Sequence, residues 1–477
     1  MLAVIGPGAI LLGVSIGSGE WLLGPAAFVR YGLTLLWVTL VAVVLQTLLN
    51  TELVRYTLYT GEPVFTGFIR TWPGRRFWAA CYVLLYFFQV GWPGWAGAAA
   101  GAIFYLFLGR LAGPADLGVV YAIGVAAFLG CAVILAFGRH IERTLEVVNW
   151  VLVILILGAL FMLCVVYVAP ATWLAAIAGL VGYDVRARAF IWMPRGADWL
   201  LVGAFAAYSG AGGVVNLMLS SWVRDRGMGM SSLSGYIPAA IGGRKQTVAH
   251  VGTVFSPTPA NLAHWRAWWR IVQIDQWGVF GLGALLAMLF LAMLYAAFVP
   301  AGQDIRGPII SAVLADAMAA RGNVALTFLV ALIGAWVLFK TQLDILDGTA
   351  RAVTDIAWAG SRHVRTWRGG DVRAVYYSVL AALVVWGMIA LRLVEPILLL
   401  EIGANIAGVA FVIIALHVLR LNTTRLPPPL RPALWRRAGL VLLALFYGSF
   451  VYLWLLGGLA PDPQRGFLFT LLGYLGL

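Results

Sequence analysis

Two short polar segments interrupt a chain that is otherwise strongly hydrophobic. The first, GVSIGSGEWLLG from Gly13 to Gly24, places glycines and serines around the carboxylate of Glu20. The second, FAAYSGAGGVVN from Phe205 to Asn216, places glycines directly after a tyrosine and a serine. Backbone amides and carbonyls that a helix leaves unpaired, together with a carboxylate, could bind a small polar solute or an ion inside a membrane.

The elements that must position these residues are membrane helices. The chain has 477 residues, of which 62% are hydrophobic and 11% are charged, with a mean hydropathy of +0.93. A soluble domain carries about 25% charged residues. Because a spanning helix needs about 20 apolar residues, we predict one all-α polytopic membrane domain, 1–477, with about eleven transmembrane helices. They are expected at 5–30, 33–57, 77–108, 118–137, 146–168, 199–222, 277–299, 324–347, 374–392, 395–419 and 438–457.

The basic residues indicate topology. The formal charge of +13 could suggest a nucleic-acid partner, but most of the basic residues fall in alternate loops, as the positive-inside rule requires. We therefore predict no nucleic-acid partner and a multi-pass protein of the cell membrane (plasma or inner), with a cytoplasmic N-terminus and the lipid bilayer around it. A further run, 467–477, is too short to span and is expected at the interface.

The two polar segments fall in the predicted first and sixth spans. Interrupted helices at corresponding places in two halves are typical of transporters built from inverted repeats, with the substrate near the midplane. Close packing through small residues is the alternative explanation. We favour the repeat, and predict a first repeat at 1–168, a second at 199–420 and an extra span and tail at 436–477.

The chain resembles the Nramp family of proton-coupled metal transporters. The resemblance lies in GPGAILLGVSIGSGEW, in the following RYGLTLLWVTLVAVVLQTLL and in NLMLSSWV after the second polar segment. It implies the LeuT-type five-plus-five inverted-repeat fold, with broken first and sixth helices, within the wider amino acid, polyamine and organocation transporter superfamily.

The departures from the family fall at its metal site. Gly17 to Glu20 stand where the family has Asp-Pro-Gly-Asn, and Gly210 to Gly212 where it has Met-Pro-His. Gly91 and Gly94 replace its third-span acids. A transition metal needs several defined ligands, which Glu20 alone does not supply, although magnesium is less strictly excluded.

The polar segments IGSG and FAAYSG also resemble the superfamily's amino-acid transporters, in which the break exposes backbone amides to a substrate carboxylate. This resemblance favours a small organic solute, with a carboxylate or an amine, over a metal. Divalent metal transport stays open as the alternative, with Glu20 as the ligand. The expected substrate-binding residues are Gly17, Ser18, Gly19, Glu20, Tyr208, Ser209, Gly210, Gly212, Gly213 and Asn216.

Ionisable residues inside spans are candidates for ion coupling, because each costs about 2.5 to 3.5 kcal/mol to insert. Glu20 could carry a proton or balance a cationic substrate, or simply cap a half-helix. Lys340 and Asp344 lie four apart on one helical face, so they can pair. Either they form a plain ion pair or, as the resemblance implies, Lys340 occupies the position where sodium-coupled relatives bind an ion between their first and eighth spans, with its ammonium replacing the cation. Glu401 and Asn405 share a face of the tenth span.

Other functional classes find less support. An enzyme would need a nucleophile with a base or a catalytic metal motif, and we recognise neither; no cofactor is predicted. A channel predicts a continuous polar pore rather than two broken helices. The polar residues Gln46, Asn50 and Gln89 are expected to form interhelical hydrogen bonds. We therefore predict a secondary transporter for a small molecule or ion, with a monomer as the working expectation.

Overall fold

The computed structural model describes residues 6–136, 141–238, 248–306, 309–320, 324–393 and 396–474, without the side chains of 141–148, 324, 393, 396, 397 and 474. Helices dominate these residues, and the strands Tyr183–Asp184 and Ala189–Phe190 form a small antiparallel hairpin. The predicted all-α class is therefore confirmed.

The spans follow each other in the predicted order. Nine helical segments of the described part are long and apolar enough to cross a membrane, and two interrupted spans, the third and the sixth, complete the predicted series. The uninterrupted helices of the second, fourth, fifth, eighth, ninth, tenth and eleventh spans are Leu36–Thr60, Leu117–Ala136, Ile141–Tyr167, Val324–Gly360, Val372–Leu393, Pro396–Arg425 and Leu434–Leu456. The composite spans are the first (Pro7–Ser15, Ile16–Leu23, Gly24–Tyr31), third (Arg75–Val90, Gly94–Leu108), sixth (Trp199–Tyr208, Val214–Asp225) and seventh (Pro259–Gln273, Ile274–Gly281, Leu282–Phe298).

Short helices connect these spans. The α-helical ones are Val64–Phe68, Pro170–Gly179, Val313–Ala319, Arg362–Thr366 and Phe467–Tyr474. The 3₁₀ turns are Leu33–Leu35, Pro114–Asp116, Gly229–Leu233, Trp367–Gly369 and Pro428–Leu430. Phe467–Tyr474 corresponds to the run predicted to be too short to span.

The sequence led us to predict a broken first helix, but the first span is not divided into two half-helices. Its middle, Ile16–Leu23, is a π-helix that joins the flanking α-helices without a gap, and the Gly24 amide bonds to the Gly19 carbonyl. A π-helix widens the turn while keeping the backbone bonded, and such turns are frequent at functional sites. The polar segment therefore distorts the helix locally instead of unwinding it.

The third span has an interruption that the sequence analysis did not assign. The helix Arg75–Val90 ends before Pro93, and a second helix runs over Gly94–Leu108. Proline has no backbone N–H and clashes with the preceding turn, so Pro93 accounts for the break.

Several basic residues near or beyond the ends of the predicted spans lie inside the protein. The eighth helix continues to Gly360, beyond the predicted end of the span, and Arg351 is fully buried within it. Arg55, Arg224 and Arg436 are also buried. Each of these arginines forms an ion pair with a carboxylate, which is how a buried charge is tolerated.

A tryptophan-rich segment forms the helix Pro259–Gln273, which continues directly into the seventh span. Its Trp265 and Trp269 rings stack with centroids 5.3 Å apart, and the Arg55 guanidinium lies 4.1 Å from the Trp269 centroid. Cation–π contact of this kind holds the segment against the second span.

Candidate functional site

The sixth span breaks where the sequence predicted. Its first helix ends at Tyr208 and the second starts at Val214. Between them Gly210, Gly212 and Gly213 have φ values of 111°, 95° and 53°. Residues with a Cβ rarely adopt this left-handed region, so the glycine cluster is what allows the helix to break here.

Two glutamines satisfy the backbone of this break. Gln46 of the second span donates to the Ser209 carbonyl at 2.9 Å and accepts from the Gly212 amide at 3.2 Å. Gln89 of the third span donates to the Gly212 carbonyl at 2.8 Å and accepts from the Val214 amide at 2.9 Å. This agrees with the predicted interhelical role. It also means that the Gly212 and Val214 amides are not available to a substrate carboxylate.

The π-helix of the first span packs directly against the sixth-span break. A Cβ added to Gly19 would overlap the Tyr208 carbonyl oxygen, and one added to Gly17 would overlap the Thr341 hydroxyl of the eighth span. These glycines are therefore needed for the close approach of neighbouring helices of the same chain. The two polar segments meet, as the sequence analysis expected of a common site.

Glu20 lies at this contact and is fully buried. The Ser15 hydroxyl donates to its Oε1 at 2.6 Å, and the backbone amide of Gly210 faces its carboxyl group. Within the described part of the chain, Oε2 accepts no hydrogen bond of ordinary geometry. A buried carboxylate oxygen without a partner is costly, so it is a point where a donor group could bind.

An aromatic wall closes the site on the side of the third span. The Trp95 indole donates to the Ser18 hydroxyl at 3.1 Å, and its ring stacks with that of Tyr208, with centroids 6.2 Å apart. Both rings are almost completely buried. They would give a bound solute a rigid apolar surface beside Glu20.

Other buried polar atoms near the break also have no partner among the described residues. Asn216 donates to the Asn50 side-chain oxygen at 2.8 Å, whereas its own side-chain oxygen and the Asn50 amide are unpaired, as is the Tyr208 hydroxyl. Buried polar groups are normally satisfied by protein, water or ligand. The region therefore has unused donors and acceptors within a closed interior.

Lys340 and Asp344 form the ion pair predicted from their spacing. Both side chains are buried in the eighth span. The ammonium lies against Gly13 of the first span, beside the Asn149 side chain of the fifth, because a Cβ at Gly13 would overlap both. The Asn149 amide donates to Asp344 at 3.5 Å. The positive charge thus lies at a junction of the first, fifth and eighth spans.

Glu401 is not part of this junction. It belongs to an ionic cluster at the side of the membrane on which the first span ends. We call this side the far side. The Arg306 guanidinium lies 3.6 Å from Glu401 and 3.0 Å from Asp198, which also pairs with Arg30 at 3.1 Å. Asn405 bonds instead to the Leu200 and Glu401 carbonyls, at 2.8 Å each.

Outside the spans, the pKa of Asp304 is lowered to about 2, chiefly because the Arg306 side chain hydrogen-bonds to its carboxylate. The same contact raises the pKa of Arg306. The Asp304–Arg306 pair is therefore fully charged at neutral pH. The far-side cluster links the end of the first span to the loops before the sixth and eighth spans and to the tenth span.

A second ionic cluster, which the sequence analysis missed, lies at the opposite, N-terminal side, where the first span begins. Arg224 of the sixth span contacts Asp225 and Asp355, each at 2.5 Å. Arg351 pairs with Asp225 and, at 2.8 Å, with Asp347. The signal was present in the regular spacing of charges along 340–355, but ending the predicted span at 347 hid it.

Comparison by sequence identifies no relative: no family model matches the chain, and no curated protein matches it. Solved structures do match. A histidine-to-alanine mutant of the Eremococcus coleocola manganese transporter superposes with a TM-score of 0.68 at 14% identity, over 99% of this chain and 91% of that one. The same transporter in complex with an aromatic bis-isothiourea substituted compound gives 0.64 at 14% identity, with the same coverage. Mhp1, a nucleobase-cation-symport-1 family transporter closed around bromovinylhydantoin, gives 0.49 at 12% identity, over 94% of this chain and 91% of that one.

The likeness to the manganese transporter extends over nearly the whole chain and includes the arrangement of all spans that carry the site. At 14% identity it concerns the fold. This protein is accordingly an integral, multi-pass membrane protein with the Nramp-like, LeuT-type fold that its sequence predicted.

Proposed function

We propose that the protein is a secondary active transporter, coupled to an ion or to protons, rather than an enzyme. Its solute is a small organic molecule that binds between Gly17 to Glu20 and Tyr208 to Gly213. The observation that carries the proposal is the contact between the two polar segments, at which Glu20 is buried with one carboxylate oxygen unpartnered among the described residues. The fold supports it, because the matched structures are transporters.

The site's chemistry favours an amine over a carboxylate on the solute. Gln46 and Gln89 already accept from the Gly212 and Val214 amides, two of the backbone donors at the break that a carboxylate could use. Glu20 offers a carboxyl group with one oxygen that accepts no hydrogen bond among the described residues, and the rings of Trp95 and Tyr208 stack beside it. A cationic amine would compensate the buried carboxylate and pack against these rings.

Transport of a divalent metal is the second candidate, supported by the fold shared with a manganese transporter. Within the described residues, no group of three or more His, Cys, Asp or Glu side chains could hold a metal ion. Glu20 would be the carboxylate ligand at this site. Such a site would suit an ion that keeps most of its water better than a soft transition metal.

Uptake into proteoliposomes separates the candidates. The purified protein would be reconstituted and given radiolabelled amines, amino acids or manganese under an imposed pH or sodium gradient. We expect saturable, gradient-dependent uptake of an amine that Glu20→Gln abolishes and Glu401→Gln retains. Gradient-driven manganese uptake without any amine uptake would reverse the order of the two candidates.

Location and orientation are part of the proposal. The distribution of basic residues supports a cell membrane protein with its N-terminus in the cytoplasm. The N-terminal side would then face the cytoplasm and the far side the exterior. A monomer contains both polar segments and the residues around them, so one chain would suffice for the proposed site.

A further inference from the structure

The helix Pro259–Gln273 carries two arginines that have no carboxylate partner. Arg266 and Arg270 are exposed, and neither forms an ion pair within the part of the chain that the structure describes. The sequence contains no Asp or Glu from 226 to 274. The exposed face of this helix is therefore positively charged without compensation from its own segment.

Both arginines lie on the side of their helix that is nearest the eleventh span. Gln273 marks this direction, because its side-chain oxygen accepts from Arg436 of the eleventh span at 3.0 Å. Arg270 precedes Gln273 by three residues and Arg266 precedes it by seven, and these spacings place side chains on one side of an α-helix. Arg266 and Arg270 therefore line the edge of the helix that adjoins the eleventh span.

The eleventh span has the same chemistry in its first turn. Trp435 and Arg437 flank the buried Arg436 there. The Arg436 guanidinium lies 4.4 Å from the Trp435 ring centroid and 5.0 Å from that of Trp269. The two elements thus pack together through one guanidinium and two tryptophan rings, and we call their contact the basic junction. The sequence around this part of the eleventh span has no Asp or Glu from 402 to 461.

One carboxylate lies behind the basic junction, but it is buried and already paired. Glu52 of the second span is 0% exposed and accepts from Arg55 at 2.7 Å and from Arg436 at 3.1 Å. Two N–H donors beneath the surface, Trp265 Nε1 and Gln273 Nε2, find no acceptor among the described residues. The basic junction therefore has more donors and more positive charge than these acceptors satisfy.

The basic junction lies at the level of the membrane surface. Five residues, about 7.5 Å of helix, separate Arg270 from Asp275, whose carboxylate accepts from the Gly8 amide at the start of the first span at 2.9 Å. The eleventh span also begins here, with Leu434 80% and Trp435 58% exposed. Exposed tryptophans at the ends of spans are typical of the headgroup layer.

We propose that the basic junction binds an anionic phospholipid from the leaflet on the N-terminal side. The lipid phosphate accepts from Arg266 and Arg270, and the acyl chains lie against Leu434 and Trp435. Charge complementarity favours an anionic headgroup over a zwitterionic one, because neither acid-free segment offers a carboxylate to an ammonium group. Basic pockets between spans bind anionic headgroups in this way. The proposal concerns the lipid alone and does not depend on the transported solute.

Lipid titration followed by native mass spectrometry tests the proposal. The purified protein in neutral detergent would be titrated with phosphatidylglycerol or with phosphatidylcholine. We expect phosphatidylglycerol to bind more tightly to the wild type. The double variant Arg266→Gln, Arg270→Gln should bind it about thirtyfold more weakly, if each arginine contributes as a basic residue usually does near an anionic lipid. Its binding of phosphatidylcholine should be unchanged.

A conservative double variant checks that charge is the cause. Arg266→Lys, Arg270→Lys should keep most of the binding, because an ammonium also pairs with phosphate. Thermal unfolding of both double variants should match the wild type, since the two arginines are exposed. Arg270→Gln alone gives a second test if the double glutamine variant fails to fold.

The matched control is the double variant Arg76→Gln, Arg362→Gln. It removes the same charge from exposed arginines on the same side of the membrane, beside the bond from Arg75 to the Gly360 carbonyl, and should leave phosphatidylglycerol binding unchanged. Equal weakening by the control would indicate attraction by overall charge and overturn the proposal. Wild-type binding by a folded glutamine variant of the basic junction would also overturn it. So would equal thermal stabilisation of the wild type by inorganic phosphate and by phosphatidylglycerol, because the acyl chains would then contribute nothing.

Discussion

Gly19 of the first span lies so close to the Tyr208 carbonyl of the sixth that a single added methyl group would overlap it. The contact joins the two polar segments at the point where Glu20 is buried. We therefore expect Gly19→Ala to lower the free energy of unfolding by about 1–3 kcal/mol, the usual cost of overpacking, and to abolish uptake. Thermal unfolding in detergent and uptake into proteoliposomes would measure both effects.

The matched control is Gly158→Ala in the fifth span. A Cβ at Gly158 meets nothing within 4 Å, and alanine is favoured over glycine in a helix by about 0.5–1 kcal/mol. Its thermal stability should be unchanged or slightly higher, with normal uptake. Equal behaviour of the two alanine variants would contradict the packing that we assign to Gly19.

Lys340→Met should destabilise the protein strongly. Lys340 and Asp344 form a buried ion pair. Loss of one partner leaves Asp344 as an uncompensated charge, at a cost of about 3–5 kcal/mol. Thermal unfolding should therefore show a lower transition temperature for the single variant.

The double variant Lys340→Met, Asp344→Asn separates stability from function. It removes both charges and keeps a side-chain amide beside Asn149, so most of the lost stability should return. Coupled uptake should remain absent, because the charge at the junction with Gly13 is gone. Full coupled uptake by the double variant would show that the pair is only structural.

The far-side cluster should make the thermal stability of the protein depend on pH in the acid range. Pairing with Arg306 lowers the pKa of Asp304 from 3.8 to about 2. Below about pH 4 the unfolded state takes up a proton that the folded state does not, so the stabilisation is complete above that pH and is lost as the pH falls towards 2. Between about pH 5 and about pH 3 the wild type should lose more thermal stability than Asp304→Asn. Identical pH profiles would count against this role of the ion pair.

The sequence predicted the sixth-span break correctly, because Gly210, Gly212 and Gly213 have no role in a regular helix and adopt positive φ values. The similar glycine cluster in the first span led to a wrong prediction, that of a broken first helix. Gly17 and Gly19 admit the Thr341 hydroxyl and the Tyr208 carbonyl, which is a tertiary requirement that a single sequence does not reveal.

The candidate site was predicted in part. The pairing of Lys340 with Asp344 followed from helical spacing and is confirmed. The position of Glu401 in the far-side cluster could not be predicted from the sequence, since its partner Arg306 lies in a distant loop. The predicted eighth span ends at 347, before Arg351, because charge normally ends a span, whereas here Asp225 and Asp347 compensate Arg351 inside the protein. The predicted repeat boundaries at 168, 199, 420 and 436 stay predictions.

The central claim is that a solute binds at the contact of the two polar segments through Glu20. Thermal unfolding of the wild type and Glu20→Gln, each with a panel of amines or with manganese chloride, tests it most directly. A ligand at 100 times its Kd stabilises the folded state by about 2.7 kcal/mol. We predict that an amine raises the transition temperature of the wild type but not of Glu20→Gln, and that manganese raises neither. An amine that stabilises both proteins equally, or a manganese effect that depends on Glu20, would contradict the account.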